Sequence, residues 1–359
     1  MKSVLFGFRS NLLRWRAIGD QQNQQQHRRT LAAILHQPQP QPQQQQQPRR
    51  TLWKNAALLV SPQEKTQPQS GEMPRLRFMQ YQRPHDAVKR LGVVSDDGSK
   101  MVELSINTCA DDDMVKFIRQ RYCMNTLLDN LQYLKVRDVY KDLRLLPPIG
   151  DPCKIVGVQN NYADNCDEQH IPIPREPSFF VKFSTSITGP LDNIQAHRQA
   201  KHIDYGCQLV VVIERTCRKV PRSAAMKHIF GYTLAQDITA RDWSALLGGK
   251  SLDTFCPLGP AIVHKSHVPD VNNLWIKTIV NGEQRQTGNT RNMIFKIDYL
   301  VHRLSQFITL YPGDMILTGT PAGAGAYRRP TSFLQPGDRI DSEIQILGKM
   351  SNRVVNAVA

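Results

Sequence analysis

The chain has 359 residues, 40% of them hydrophobic and 21% charged, and its formal net charge is +15. That length allows one large domain or two ordinary ones. The longest purely apolar runs are about five residues, whereas a membrane-spanning helix needs about 20, so we expect no membrane span. The seven cysteines are widely spaced without a C-x-x-C pair, which argues against a disulfide framework or a zinc site.

The positive charge is concentrated near the amino terminus. Residues 1–63 contain nine Lys and Arg residues and a single acid, Asp20, whereas acids and bases are mixed through the rest of the chain. No zinc-finger spacing, RNA-binding signature or long basic block is present. The sequence therefore does not predict a nucleic-acid partner.

The first predicted element is a leader. Over 1–20, four basic residues alternate with bulky apolar ones, which is typical of a mitochondrial presequence; a disordered basic tail is the alternative. Residues 21–74 are rich in Gln and Pro, and they have too little apolar surface to offset the entropy lost on ordering. We therefore predict that the leader directs import into the mitochondrial matrix. We also predict that the segment after the leader is disordered. Unpaired cysteines fit this reducing compartment.

A small N-terminal subdomain is predicted over 75–148. A strand is expected at 76–81, and a hairpin is expected over 90–104 because a Ser-Asp-Asp-Gly turn separates two apolar runs. Helices are expected over 114–121 and 126–134. A Pro-Pro pair then ends the subdomain.

A larger domain is predicted over 149–355, in which short β-rich runs alternate with Gly and Pro turns. One amphipathic helix is expected over 295–307. The fold class is therefore α+β and mostly β. Strands are expected at 154–158, 179–183, 209–213, 261–263, 274–280, 315–318 and 340–346.

Four stretches in this larger domain carry a recognisable pattern: 154–164, 180–190, 204–213 with 231–243, and 310–321. Together and in this order they resemble the fumarylacetoacetate hydrolase family. The resemblance implies a mixed β-roll with a small N-terminal subdomain, and usually a homodimer. It also implies one Mg²⁺ or Mn²⁺ that chelates a diketone or 2-keto acid. The family's reactions include acylpyruvate hydrolysis, oxaloacetate decarboxylation and oxaloacetate tautomerisation.

The family's metal ligands are two Glu at alternate strand positions and one Asp. Alternate positions point to one face, so these side chains supply three hard oxygen ligands. Family members show Asp-Tyr-Glu-x-Glu-Leu, where this chain reads Asp-Tyr-Gly-Cys-Gln-Leu over 204–209. Gly206 and Gln208 thus stand where both Glu ligands are lost, and Asp237 is retained. The ligand charge falls from about −3 to −1, so Mg²⁺ or Mn²⁺ should bind weakly or not at all.

The family's catalytic residues are altered as well. Asn165 stands where members have His, and an amide is no general base near neutral pH. Glu168 is retained, and Lys250 is present about six residues earlier than usual after Arg241. The resemblance implies that Arg241 and Lys250 bind anions, and the alternative is that they are solvated or held in salt bridges. The substrate contacts implied by the resemblance are retained by type: Lys182, Arg241 and Thr320.

The sequence thus predicts a mitochondrial family member that is catalytically impaired or inactive. The alternative is a working Mg²⁺-dependent oxaloacetate tautomerase, or an acylpyruvate hydrolase or oxaloacetate decarboxylase. We expect a homodimer, with a heterodimer containing an active paralogue as the alternative, and a small keto acid as ligand. Asp204 is predicted to be a turn or edge residue, and Cys207 a core residue.

Overall fold

The computed structural model describes residues 75–84, 86–104, 113–120, 124, 127, 135–140, 142–243 and 248–357. The predicted presequence, the Gln/Pro-rich segment and nearly all of the helix predicted over 126–134 lie outside the described residues. No helix within the described ranges has the length and apolar character needed to cross a membrane.

Strands dominate the described residues, which agrees with the predicted mostly-β class. The α-helices are α1 (Met114–Arg119), α2 (Ala163–Glu168) and α3 (Ile297–Phe307). The strands are β1 (Arg77–Gln82), β2 (Arg90–Val94), β3 (Lys100–Glu103), β4 (Val136–Asp138), β5 (Arg144–Leu146), β6 (Ile155–Gln159), β7 (Ser178–Lys182), β8 (Ile187–Thr188), β9 (Ile194–Ala196), β10 (Ile203–Asp204), β11 (Cys207–Ile213), β12 (Ile229–Gln236), β13 (Thr239–Ala240), β14 (Cys256–His264), β15 (Trp275–Val280), β16 (Glu283–Asn289), β17 (Met315–Leu317), β18 (Arg339–Ile344) and β19 (Gly348–Asn356).

The largest sheet runs in the order β4-β3-β2-β1-β14-β12-β11-β17-β6-β7, and a second sheet runs β16-β15-β18-β19-β9. All seven residues of β11 and all eight of β12 are buried. A strand covered on both faces reads as a continuous apolar run, which is why Leu209–Ile213 lacks the usual alternation with polar residues. These two strands lie side by side in the interior of the large sheet.

The side chains of β11 alternate between two hydrophobic clusters. Leu209, Val211 and Ile213 belong to the cluster that includes residues of α3. Val210 and Val212 belong to the cluster that includes residues of β1 and α1. This period of two follows from strand geometry, and it places a core on each face of the sheet. Cys207 lies in the first cluster and is fully buried, as predicted.

The predicted hairpin over 90–104 is confirmed, because β2 and β3 pair antiparallel with Val93 opposite Val102. Strand β1 then pairs with β14, with Phe78 opposite Ile262, so the N-terminal strands continue the large sheet. The domain boundary at 148/149 remains a prediction from sequence.

Three pieces of chain meet at one end of β11 and β12. These strands pair antiparallel with Cys207 opposite Gln236, which brings Gly206 beside Asp237. Strand β17 pairs with β11, and its continuation through Thr318 stays hydrogen-bonded to Leu209. The short pair β10–β13 lies directly beyond them. The residues predicted for the metal site therefore come together here.

Candidate functional site

Asp237 is the centre of a buried ion cluster. Its residue is 6% exposed, and its carboxylate accepts hydrogen bonds from Lys182 Nζ at 2.8 Å and Lys250 Nζ at 2.6 Å. Gln208 Nε2 donates a third hydrogen bond at 3.0 Å. We call Asp237, Lys182, Lys250 and Gln208 the Asp237 cluster. Both carboxylate oxygens of Asp237 are thus occupied by donors of this chain.

The two lysines of the cluster differ in exposure. Strand β7 turns Lys182 inward, where its side chain is 0% exposed and Nζ also donates to the Ile238 carbonyl at 3.1 Å. The Lys250 side chain is 11% exposed, and its Nζ also donates to Thr239 Oγ1 at 2.9 Å. An ammonium has three N–H donors, and each lysine directs two of them at oxygen atoms of the protein. The Lys250 Nζ also lies 4.3 Å from the Phe180 ring centroid.

The electrostatics of the cluster are set by burial and by these charges. Burial alone would raise the pKa of the Asp237 carboxyl, but the charges of Lys182 and Lys250 outweigh it and hold that pKa at about 2. Burial also lowers the pKa of Lys250, an effect that Asp237 opposes and Lys182 reinforces. One carboxylate and two ammonium groups carry a formal charge of +1.

Gln208 and Gly206 lie beside Asp237 and are held by hydrogen bonds of their own. The Gln208 carbonyl oxygen accepts from the Gly319 backbone N–H at 2.8 Å, so both ends of its amide are hydrogen-bonded. The Gly206 N–H donates to Gln236 Oε1, and the Gly206 carbonyl accepts from the Asp237 N–H. A Cβ added at Gly206 would lie 3.1 Å from Thr320 Cγ2, which is tighter than an ordinary van der Waals contact.

These residues do not fit the divalent cation that the resemblance implies. Mg²⁺ and Mn²⁺ require several hard oxygen ligands, and Mg²⁺ gives up its water reluctantly. The only carboxylate in the cluster already faces two ammonium groups, and the Gln208 oxygen already accepts a backbone hydrogen bond. Across the described ranges, no group of three or more His, Cys, Asp or Glu residues could hold a metal ion.

The two residues predicted for the altered catalytic pair, Asn165 and Glu168, lie on helix α2 and outside the Asp237 cluster. The buried Asn165 accepts a hydrogen bond at Oδ1 from Gln169 Nε2 at 2.6 Å, so its amide is engaged within its own segment. Both oxygens of Glu168 accept from the Gly323 N–H, at 3.0 and 2.9 Å. Burial raises the pKa of Glu168, and the Gly323 hydrogen bond acts in the opposite direction. No hydrogen bond between described residues joins this pair to the cluster.

Arg241 is held in a salt bridge with Asp204, which is one of the states that the sequence left open. Its guanidinium donates to Asp204 Oδ2 at 2.9 Å and lies 5.3 Å from the Tyr327 ring centroid. Asp204 is only 1% exposed and also accepts from the backbone N–H groups of Gly325 and Ala326. Asp204 lies on the short strand β10, in a two-stranded sheet, so it is at a sheet edge. The sequence analysis did not predict that Asp204 anchors the loop after Pro321.

Thr320 is positioned by a residue that the sequence analysis did not single out. Gln286 Nε2 donates to Thr320 Oγ1 at 2.9 Å, and Gln286 is 1% exposed. Strand β16 reads Glu-Gln-Arg-Gln-Thr-Gly-Asn and has no apolar alternation that would reveal which side faces inward. The Gln286 contact therefore has no signal in the sequence.

The comparisons with known proteins agree with this architecture. The model of the fumarylacetoacetate (FAA) hydrolase C-terminal domain matches residues 154–355. The chain belongs to the fumarylacetoacetate hydrolase family. It is 41% identical over 288 residues to the mitochondrial oxaloacetate tautomerase FAHD2A of Bos taurus, covering 78% of this chain and 92% of that protein. It is 40% identical over 221 residues to the oxaloacetate tautomerase YisK of Bacillus subtilis, covering 59% of this chain and 73% of YisK.

Solved structures show the same fold. A fumarylacetoacetate hydrolase from Exiguobacterium antarcticum is 32% identical with a TM-score of 0.71, covering 79% of this chain and 100% of that chain. The maleylpyruvate hydrolase from Sphingobium, solved with manganese(II) and pyruvate, is 28% identical with a TM-score of 0.67 and the same coverage. The predicted α+β, mostly β fold of this family is confirmed.

Proposed function

We propose that this chain is a mitochondrial member of the family in which keto-acid chemistry is impaired or absent. The supporting observation is the Asp237 cluster, in which two lysines and an amide occupy both oxygens of the only retained metal carboxylate. A cation approaching Asp237 would have to displace two ammonium groups and would meet their positive charge. The chain's Asn165 adds no general base.

The alternative function is an active oxaloacetate tautomerase, and one observation favours it. The bovine and Bacillus relatives are named as such enzymes, and the match covers 92% of the bovine protein. Tautomerisation moves protons without breaking a carbon–carbon bond, so it is the least demanding reaction of the family. If the chain is active, we expect this reaction rather than hydrolysis or decarboxylation.

We also infer where the protein is located and how it assembles, from its relatives and from its leader segment. The bovine and human relatives are named mitochondrial, and the basic amphipathic segment over 1–20 supports import into the matrix. We infer a homodimer, or a heterodimer with an active paralogue. In either assembly the chain would bind a small keto acid or support its partner.

The test follows the ultraviolet absorbance of enol-oxaloacetate as it converts to the keto form. The purified chain is measured with Mg²⁺ and with EDTA, beside Asp237→Ala, and the bovine relative serves as positive control. We expect the background rate in all samples of this chain. A metal-dependent rate that Asp237→Ala abolishes would refute the proposal and show that Asp237 holds a working metal with other ligands.

A second experiment restores the family's residues. The triple variant Gly206→Glu, Gln208→Glu and Asn165→His should gain activity and manganese binding if the surrounding residues are otherwise competent. Because an added Cβ at 206 approaches Thr320, the same triple variant is also made with Thr320→Ser. Manganese content is measured beside activity, so loss of metal binding is distinguished from a defect in the chemistry.

A further inference from the structure

We propose that one surface of this chain binds the face of an anionic lipid bilayer. We call it the Phe307 surface, and its members are Arg218, Lys219, Phe307, Ile308 and Tyr311. They come from the connection between β11 and β12 and from the chain at the end of α3. Strand β11 begins beside the Asp237 cluster and ends where this connection starts, so the surface is separate from the candidate site. The inference therefore does not rest on the proposed function.

The apolar part of the surface consists of three large side chains within five residues. Phe307 is 69% exposed, Ile308 is 37% exposed and Tyr311 is 45% exposed. Single exposed apolar side chains are normal, but a contiguous group of them is typical of an interaction site. Cations already border two of the rings, because Lys154 Nζ lies 4.6 Å from the Tyr311 ring centroid and the Arg303 guanidinium lies 4.8 Å from that of Phe307.

The charged part of the surface belongs to a basic connection over 214–228. This connection contains five Lys and Arg residues, all of them exposed, and one acid, Glu214. Glu214 is paired with Lys265 at 2.9 Å. Among the described residues, no carboxylate forms a salt bridge with Arg218 or Lys219. Two cations of this chain are thus left for a partner.

Backbone hydrogen bonds hold the charged and apolar parts together. Cys217 and Leu310 each donate an N–H to the other's carbonyl, at 2.9 and 3.0 Å, which brings Arg218 next to the exposed apolar residues. The Lys219 N–H donates to the Ser305 carbonyl in the last turn of α3 at 2.7 Å. The two unpaired cations therefore border the three exposed apolar side chains on one fixed stretch of backbone.

An anionic bilayer fits both parts of this surface. Anionic headgroups attract Lys and Arg, while aromatic and aliphatic side chains enter the boundary between headgroups and acyl chains. A second copy of the chain fits poorly, because a symmetric contact would bring Arg218 and Lys219 against the same charges of the other copy. Neither cation is oriented by a carboxylate, so the surface lacks the fixed geometry that recognises a particular acidic side chain. Dispersed headgroups do not require that geometry.

Amide hydrogen exchange, read by mass spectrometry, tests the proposal on the full chain. This measurement follows each segment separately, so binding through the basic leader is not mistaken for binding through the Phe307 surface. Vesicles of phosphatidylcholine are compared with vesicles of phosphatidylcholine and phosphatidylglycerol in equal parts. We expect only the mixed vesicles to slow exchange over 214–220 and 305–312. Added salt should reverse this protection, because it screens the attraction between charges.

Three results would overturn the proposal. In the first, the mixed vesicles protect the leader alone. In the second, both segments become protected without vesicles when the chain is concentrated, as a contact between two copies requires. In the third, polyglutamate protects both segments and the mixed vesicles do not, as an acidic protein partner requires.

Co-sedimentation with the mixed vesicles measures the charged part. Arg218→Gln combined with Lys219→Asn should lower the partition coefficient at least about tenfold. Asn suits position 219 because the backbone there has a φ of 51°, a conformation that Asn tolerates. Arg198→Gln combined with Lys201→Asn is the matched control, because it removes the same charges from exposed positions beside another hydrophobic cluster. Equal losses in the two double variants would overturn the proposal.

The apolar part is measured in the same way. Phe307→Ser should lower the partition coefficient about fivefold, because the apolar area that would leave water is lost. Val136→Ser is its control, since Val136 is 60% exposed on strand β4, and it should bind like the parent chain. Thermal unfolding curves establish that each variant is folded. Unchanged binding of Phe307→Ser would contradict insertion of this surface into the bilayer.

Discussion

Two buried aspartates, Asp237 and Asp204, lie near one another in this fold and are stabilised in different ways. Asp204 accepts from three backbone N–H groups, those of Tyr205, Gly325 and Ala326, and from one guanidinium. Asp237 accepts from side chains only, two ammonium groups and one amide. Both are nearly inaccessible to water.

This difference determines how strongly each aspartate's surroundings depend on the neighbouring side chains. The N–H groups around Asp204 belong to the backbone, so they persist whatever the neighbouring side chains are, and Asp204 fixes the loop after Pro321. The partners of Asp237 are side chains that substitution can replace. The anchor of the loop therefore depends mainly on the backbone, whereas the Asp237 cluster depends on side chains that substitution can change.

Removal of the Asp237 charge should have the largest effect. Asp237→Asn leaves Lys182 fully buried with no carboxylate partner, and breaking a buried pair in this way costs about 3–5 kcal/mol. Urea unfolding measures the loss. In the double variant with Lys182→Met, the two changes should cost less together than their sum. Additive losses would show that the two charges do not interact.

Acid should reveal the same cluster through the pH dependence of stability. The pKa of Asp237 is about 2 in the folded protein, below its unfolded value of about 3.9. Its contribution of about 2–3 kcal/mol is therefore fully present above pH 4 and is lost as pH falls towards 2. Unfolding free energies of the parent chain and Asp237→Asn should converge over this interval. Parallel curves would contradict the depressed pKa.

The Asp204 anchor should be the next most sensitive. Asp204→Asn replaces one acceptor oxygen with a donor, so a backbone N–H or Arg241 loses its partner, at a cost of about 2 kcal/mol. Asp242→Asn is the matched control, because Asp242 also accepts two backbone N–H bonds but is exposed. It should lose less than about 1 kcal/mol. Equal losses would mean that burial of Asp204 does not matter.

The smallest effect is expected at Gly206. Gly206→Ala places a Cβ 3.1 Å from Thr320 Cγ2, and Gln286 holds Thr320 in position, so we expect destabilisation of about 1 kcal/mol. Adding Thr320→Ser removes the crowding methyl group and should recover most of the loss. If Gly206→Ala is neutral alone, Thr320 moves freely, and restoring Glu at 206 becomes easier.

The sequence predicted the elements with strong local signals. The continuous apolar run in β11, the hairpin between β2 and β3 and helix α3 were each predictable because their residues carry the period or turn chemistry of the element. That Gly206 and Gln208 stand where the resemblance implies metal carboxylates was also readable, since it depends on residue type alone. Its consequence for metal affinity remains a prediction.

Tertiary structure decided how the remaining charges are paired. Lys182 and Asp237 are 55 residues apart, and Asp204 meets Gly325 across 121 residues, so no local pattern reveals either contact. The sequence left open whether Lys250 is free or paired, and the structure pairs it with Asp237. By itself the sequence determined the family, because the family is recognised from residue types in order. Only the fold determined which buried carboxylate faces which cation, because that depends on how sheet pairing and loop anchoring bring distant segments together.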